Sequence, residues 1–466
     1  MSGSVVGANT PRLTPGALRK AVAASFVGTS IEWYDFFLYG SAAALVFNQV
    51  FFPSFNPLTG TLLAFATYAV AFVARPFGGA LFGHLGDKLG RKRTLIWTLM
   101  LMGFATFAMG LLPGYGSIGI AAPILLVVLR FAQGLGLGGE WGGAVSLVTE
   151  YGDASGAQHR RGYYASWPQI GVPAGNLMAV GALAVVSAVT TPEAFISWGW
   201  RIPFLLSGVL ILVGLWIRRA LDESPLFASL EQSERQQAPV AEVFRHYRRS
   251  LLITIGIRIA SDVSYYTFAL FSLTYVTQQL GLPRSVAFNG VLVASVVQLV
   301  AIPAFAILSD RVGRRPVYLL GAVGVGVWGF AFFPLLDSRS ALAAIVAITV
   351  GLLFQAAMYG PMAAFIAEMY GTSVRYSGSS LGYQLAGIVG GSVAPLIGVA
   401  LLARFDSATP VAIYGALMAG ITVLAVLLAA ETRQSALAPV APSDVSATPA
   451  PGTSNHGASG TSNQGV

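Results

Sequence analysis

Long apolar runs alternate along the chain with short polar segments. A helix needs about 20 mostly apolar residues to cross a bilayer. Twelve runs meet that length, at roughly 21–47, 59–83, 94–112, 121–148, 161–188, 199–217, 250–279, 286–308, 316–336, 341–367, 376–403 and 410–430. Gly and Pro are frequent inside them, which neighbouring helices in a membrane bundle tolerate. The pattern predicts an all-α membrane protein with twelve transmembrane helices. The longest internal polar stretch, 218–249 with its run EQSERQQ, falls between the sixth and seventh runs. The expected organisation is therefore an N-terminal segment (1–20), a six-helix bundle (21–217), a linker (218–249), a second six-helix bundle (250–430) and a tail (431–466). From 432 on, the sequence is rich in Ala, Ser, Thr, Gly and Pro without apolar periodicity, so disorder is expected there. Arg12, Arg19 and Lys20 precede an apolar run far longer than a signal-peptide core, which reads as a retained first span.

Composition supports a lipid-facing surface. Hydrophobic residues make up 55% of the chain and charged residues only 10%; a soluble domain carries about 25% charged residues. The net charge of +8 comes from short basic clusters between apolar runs, which marks topology and not a nucleic-acid partner. With the N-terminus inside and spans alternating, the inner side receives 20 of the 27 Lys and Arg, and the outer side only Arg201, Arg284, Arg339 and Arg404. Both termini are thus expected in the cytoplasm. The chain has no Cys, and His84, His159, His246 and His456 sit in or beside polar loops. No metal site, thiolate chemistry or intramembrane His relay is indicated, and no nucleophile–base constellation of an embedded enzyme.

The two halves echo each other. GHLGDKLGRKR (83–93) matches LSDRVGRRP (308–316), EYG (150–152) followed by Arg161 matches EMYG (368–371) followed by Arg375, and LDESP (221–225) matches AETR (430–433). A near-constant offset indicates internal duplication, a common plan of secondary transporters with the substrate site where the halves meet. In the first loop the glycines permit a tight turn, Asp87 can pair with an Arg, and Arg91 can bond helix-end carbonyls. Asp87, Arg91, Asp310, Arg314, Glu150, Glu368 and Arg375 are the expected parts of a conformational latch, made in one state and broken in another.

The loop and its echo resemble the signature loop of the major facilitator superfamily. IEWYDFFLYG (31–40), FVARPFGG (72–79), RFAQGLGLGGEWGG (130–143), SWGWRIPFLLSG (197–208), DESPLF (222–227) and VRYSGSSLGYQLAGIVGGSVAP (374–395) resemble its metabolite:proton symporter branch. The resemblance covers about residues 20–432. It implies two six-helix bundles working by alternating access in the cell inner membrane, with the proton as coupling ion and no other cofactor. It also implies a small metabolite as partner (a shikimate-like, 2-oxo-, dicarboxylic or citric acid, proline or a betaine) and a monomeric functional unit. Branch members that sense osmotic pressure carry a charged C-terminal coiled coil, and this tail has no heptads.

Ionisable residues inside apolar spans are expensive and mark functional sites by default. They are Glu32, Asp35, Arg75, Arg130, Glu140, Arg258 and Asp262. Glu32 and Asp35 share a helix face with Tyr39. A carboxyl group out of water is a weaker acid and can load and release protons near neutral pH. Asp35 is therefore the expected proton carrier, with Glu32 beside it; a static salt bridge to an Arg is the alternative. Arg75 precedes Pro76 and either satisfies the carbonyl freed there or grips a substrate carboxylate. Arg130 falls near mid-membrane as a substrate or coupling residue, or pairs with Glu32, Asp35 or Glu140. Arg258 and Asp262, one turn apart, form a structural pair or part of the site. Gln355 and Tyr383, with Tyr265, Tyr266, Gln298, Tyr359 and Gln384, could add neutral hydrogen bonds. Gly134, Gly136 and Gly139 match G-x-G-x-x-G but lie in an apolar helix without a preceding strand, so Gly134, Gly138 and Gly142 read as small-residue helix contacts. GVPAG (171–175) reads as a packing and bending element that leaves exchange possible.

Overall fold

The computed structural model describes residues 15–89, 91–138, 160–220, 239–370 and 375–433. Side chains of Asp87, Arg91 and Arg375, and the whole of Glu140, Gly142, Glu150, most of the expected linker and the tail from 434, lie outside the described residues.

The described chain is helical. In the first half run α1 (Pro15–Leu45), α2 (Pro57–Leu89), α3 (Arg91–Leu111), α4 (Ala121–Leu137), α5 (Arg161–Val189) and α6 (Arg201–Ala220). In the second run α7 (Arg248–Tyr265, continued by turns to Gln279), α8 (Arg284–Val312), α9 (Arg314–Asp337), α10 (Ala341–Glu368), α11 (Arg375–Ala386, continued to Phe405) and α12 (Thr409–Leu428). A short helix, Pro239–His246, occupies part of the stretch expected as linker. Widened π-helical turns interrupt α7 at Tyr266–Phe271 and Tyr275–Gln279, and α11 at Gly387–Ser392.

Among the described residues seven helices are long and apolar enough to cross a membrane, or eight if α6 is joined to the helical turns Pro192–Gly199, bent from it by 43°. Neither α1 nor α7 is in that group, and burial explains why. Every residue from Ser30 to Asn48 and from Gly256 to Val276 is buried. A helix surrounded by other helices needs no lipid-facing apolar stripe, so these two can carry acids and arginines. The peripheral helices do the opposite: Phe77, Trp97, Phe104, Val189, Leu212, Trp216, Val300 and Leu417 are exposed. Apolar side chains outside and polar ones inside are the polarity that a bilayer imposes.

Helix pairing repeats between the halves. In the first, α1 packs on α5, α2 on α4 and α3 on α6; in the second, α7 packs on α11, α8 on α10 and α9 on α12. The halves meet along α5–α8 and α2–α11, pairs that exchange under the same correspondence. Gly134 and Gly138 bring α4 onto the backbone of Ala71 and Arg75 in α2, where any Cβ would collide. Gly171 and Gly175 do the same for α5 against α1 at Thr29, Ser30 and Trp33.

Candidate functional site

The expected site residues fall into three groups. The first lies inside the first half. Asp35 is 1% exposed and its Oδ1 has no hydrogen-bond partner. Its carboxyl group faces Thr106 of α3 and feels the charge of Arg130. Arg130, fully buried, donates to Gln133 Oε1, and its Nη2 is unpartnered. Its guanidinium lies over Tyr39 at 4.1 Å, Phe36 at 4.5 Å and Tyr68 at 4.6 Å. Among the described residues Arg130 forms no ion pair with Glu32 or Asp35. Gln133 ties the group together, donating to Asp35 O at 3.3 Å and to Thr106 Oγ1 at 2.8 Å. Tyr39 bonds Thr67 Oγ1 at 2.5 Å. Arg75 sits over Phe36 at 4.5 Å and Phe72 at 4.6 Å, with Nε and Nη2 unpartnered. Among the described residues neither of these atoms meets a proline-freed carbonyl. Glu32 is buried on the same helix as Asp35.

The second group forms a cavity where the halves meet. Trp33 and Phe37 of α1, Val172 of α5, Arg258, Asp262, Tyr265 and Tyr266 of α7, Gln355 and Tyr359 of α10 and Tyr383 of α11 line it. Helix α1 therefore presents Asp35 and Tyr39 to its own bundle and Trp33 and Phe37 to the cavity. Arg258 donates from Nε to Asp262 Oδ1 at 3.1 Å and from Nη1 to Tyr383 O, and stacks 3.3 Å from the centre of the Tyr383 ring. Gln298 donates to Gln355 Oε1 at 2.7 Å, and Gln355 to Ser261 Oγ at 3.1 Å. The cavity measures about 20 Å³, room for about one water. Arg75, Arg130, Asp35, Glu32 and Tyr39 do not line the cavity.

The third group closes one end of the bundle. Gly313 (φ 114°) makes the turn between α8 and α9, a backbone region that L side chains rarely adopt. The turn delivers Asp310 and Arg314 to the same spot, 2.6 Å apart. Arg314 also bonds Glu368 of α10 at 3.0 and 3.3 Å and Ser309 Oγ at 2.7 Å. The Asp310 carboxylate then crosses to the other half, accepting from Gly162 N at 2.9 Å and Tyr163 N at 3.0 Å. An anion at a helix N-terminus is favourable because the first N–H groups there lack partners. Beyond α12, Glu431 accepts from Arg314 N and Arg315 N at 2.9 and 3.0 Å, and Thr432 donates to Glu368 at 2.6 Å. At the opposite end, Gln278 of α7 donates to Ala44 O at 3.2 Å and Thr61 Oγ1 at 2.8 Å across the halves. Between the two ends Gln384 donates to Gly138 O at 3.3 Å.

A sequence profile of the Major Facilitator Superfamily matches residues 25–383 and 258–454. The chain belongs to the major facilitator superfamily. It is a multi-pass membrane protein of metabolite-transporter kinship. It is 41% identical over 424 residues to the inner membrane metabolite transport protein YhjE of Escherichia coli, covering 90% of this chain and 95% of that protein. It is 42% identical over 420 residues to the Escherichia coli shikimate transporter, covering 87% and 94%. The proline/betaine transporter of the same organism is 37% identical over 390 residues, covering 81% and 76%. The inward-open Escherichia coli xylose transporter XylE shares the superfamily fold with a TM-score of 0.67 at 18% identity, over 90% and 98% of the two chains.

Sequence reasoning missed Trp33, Phe37 and Val172 as cavity walls, Gln133 and Thr106 as the frame of Asp35, and Gln278 as a contact between halves. The echo of LDESP in AETR was read only as a sign of duplication, and Glu431 within it was missed as well.

Proposed function

We propose that the protein is a secondary active carrier that takes a small organic carboxylate into the cell together with a proton, by alternating access across the inner membrane. In this reading it has twelve transmembrane helices in two bundles (21–217 and 250–430), cytoplasmic termini, and no enzymatic activity. The observation that carries it is the small cavity walled by both halves, with a guanidinium in its wall and a second buried acid, Asp35, held apart from it. A site walled by both halves is what alternating access needs, since movement of the halves can expose it to one side at a time.

Roles follow from placement. Arg258, Asp262, Gln355 and Tyr383 touch the solute; Arg258 is the guanidinium that holds a carboxylate. Asp35, with Glu32 nearby and Arg130 against it, carries a coupling proton. Arg75 and Arg130 share the Phe36 ring and sense movement of α1. Tyr39 supports Arg130 from beneath. Asp310, Arg314 and Glu368 latch the cytoplasmic side closed, and the duplication assigns Asp87, Arg91, Glu150 and Arg375 to the matching positions of the first half. The kinship with the shikimate transporter supports a carboxylate. A second reading, a proline or betaine symporter, is favoured by the aromatic cavity wall, because aromatic faces attract quaternary ammonium groups. Facilitation or exchange of the same acid differs from symport only in the coupling.

The test is uptake of labelled shikimate, 2-oxoglutarate, citrate, proline and glycine betaine by cells expressing the protein, with and without a protonophore. Accumulation of an acid that collapses with the protonophore is expected. Uptake that only equilibrates and ignores the protonophore refutes proton symport.

A further inference from the structure

The Arg258–Asp262 pair has an uneven geometry. Oδ1 of Asp262 accepts the Nε hydrogen bond, whereas Oδ2, 3.1 Å from Nη2, is buried and satisfies no hydrogen bond. The pair lines the central cavity. The groups acting on Asp262 come from every side: Arg258 and Tyr266 on its own helix, Arg75 from α2, Tyr318 from α9, Tyr359 from α10 and Tyr383 from α11. Two of the six are cations, four are phenols, and none is a second carboxylate. Asp262 is thus the one acidic group among them, set between guanidinium groups from opposite halves of the protein.

A carboxylate in that position already occupies the place where a substrate carboxylate has to bind. Arg258 has one fork to offer. One arm is fixed on Tyr383 O, and the edge formed by Nε and Nη2 faces Asp262. A substrate carboxylate entering beside an ionised Asp262 meets an anion, and two carboxylates on one guanidinium in a dry cavity are unfavourable.

We propose that Asp262 is an internal stand-in for the substrate: the incoming carboxylate displaces it from Arg258, and Asp262 takes up a proton as it lets go. The step balances. One proton moves from water in the open vestibule to an oxygen of Asp262, and the bonds from Arg258 pass from that carboxylate to the substrate's. One negative charge enters the cavity and one is neutralised there, so the closed centre keeps its net charge. Release on the other side reverses both transfers. The proposal rests on the carboxylate-carrier reading but not on Asp35; the proton it requires is bound in the cavity.

The experiment is equilibrium binding of labelled shikimate to the purified full-length protein in lipid nanodiscs, from mildly acidic to mildly alkaline pH. Choline serves as a solute lacking a carboxylate, and citrate and glycine betaine as other carboxylates. For the wild type, affinity for the carboxylate is expected to rise as the pH falls, by up to about tenfold per pH unit for one linked proton. Asp262→Asn, a neutral copy of the protonated acid, should bind as tightly at alkaline pH as the wild type does at acid pH, with the slope gone. Asp262→Glu, which titrates again, should restore the slope. An unchanged slope in Asp262→Asn overturns the proposal and leaves the carrier reading standing. Choline binding with the same pH slope also overturns it. Failure of all three carboxylates to bind the wild type at any pH removes the carboxylate reading and the proposal together.

Discussion

Asp310 is a small group with a large expected effect on conformation. It accepts two hydrogen bonds from the first turn of α5, at Gly162 and Tyr163, from across the junction of the halves. Truncation in Asp310→Ala removes both, whereas Arg314 keeps Glu368 and Ser309. The bonds lost within the second half are lost in both conformations and cancel. The two that span the halves exist only in the closed one. A hydrogen bond to a charged group contributes about 1.5–3 kcal/mol. At the lower figure the pair amounts to about 3 kcal/mol, so the closed end should open on the order of a hundredfold more often. The chain has no Cys, and Val172 lines the central cavity, so Val172→Cys is a single reporter without background. Its labelling by an impermeant maleimide in inside-out vesicles measures opening on the cytoplasmic side. Labelling should accelerate by one to two orders of magnitude in Asp310→Ala. A rate within about twofold of the parent would falsify the latch, because the opening equilibrium would then owe nothing to these bonds.

Three further outcomes follow from the same geometry. Gln278→Ala removes two neutral hydrogen bonds at the opposite end, about 2 kcal/mol in total, so the Val172→Cys reporter should label roughly thirtyfold faster from the outside; acceleration from the cytoplasmic side instead would assign Gln278 to the wrong gate. Asp35→Asn should lower steady-state accumulation, by up to about tenfold per unit of pH gradient for one proton lost, while leaving exchange of labelled for unlabelled solute, measured in preloaded vesicles; accumulation equal to the wild type's would remove Asp35 from the proton path. Burial alone would raise the Glu431 carboxyl group, but the backbone N–H groups of Arg314, Arg315 and Arg433 and the Arg314 charge outweigh it and hold it below its ordinary value. A depressed carboxylate stabilises the fold above its unfolded value, about 4.3, and that contribution is lost as the pH falls through the folded one. Thermal melting of the purified protein should therefore weaken with acid more steeply than that of Glu431→Gln, and equal slopes would contradict the cap.

Much of this arrangement was legible in the residues. Apolar length located the helices, and the cost of a charge in lipid singled out Asp35, Arg75, Arg130, Arg258 and Asp262, all of them buried. The duplicated loop pointed to Asp310, Arg314 and Glu368, which meet. What the sequence concealed was partnership between helices. Arg130 and Arg258 looked like equivalent site residues, yet one lies inside the first half and the other on the cavity, because spacing along one helix says nothing about which neighbour it faces. Trp33 and Phe37 recur at helical spacing as any packing residues would, and only the position of α1 between the halves makes them cavity walls. The π-helical turns from Tyr266 to Phe271 and from Tyr275 to Gln279 shift the face presented by the rest of α7, so a regular helical register does not lead from Asp262 to Gln278. Gln133 was hidden for a different reason: an amide in an apolar helix serves packing as often as a site.

The most direct test of the central claim uses the purified protein in sealed liposomes with no energy source other than an imposed proton gradient. With an alkaline lumen, labelled shikimate is expected to rise above its external concentration and to fall back when a protonophore is added, and Asp35→Asn should reach a lower level. Uptake of the acid by the wild type to the external concentration and no further, at the same rate with and without the gradient, would contradict proton-coupled symport.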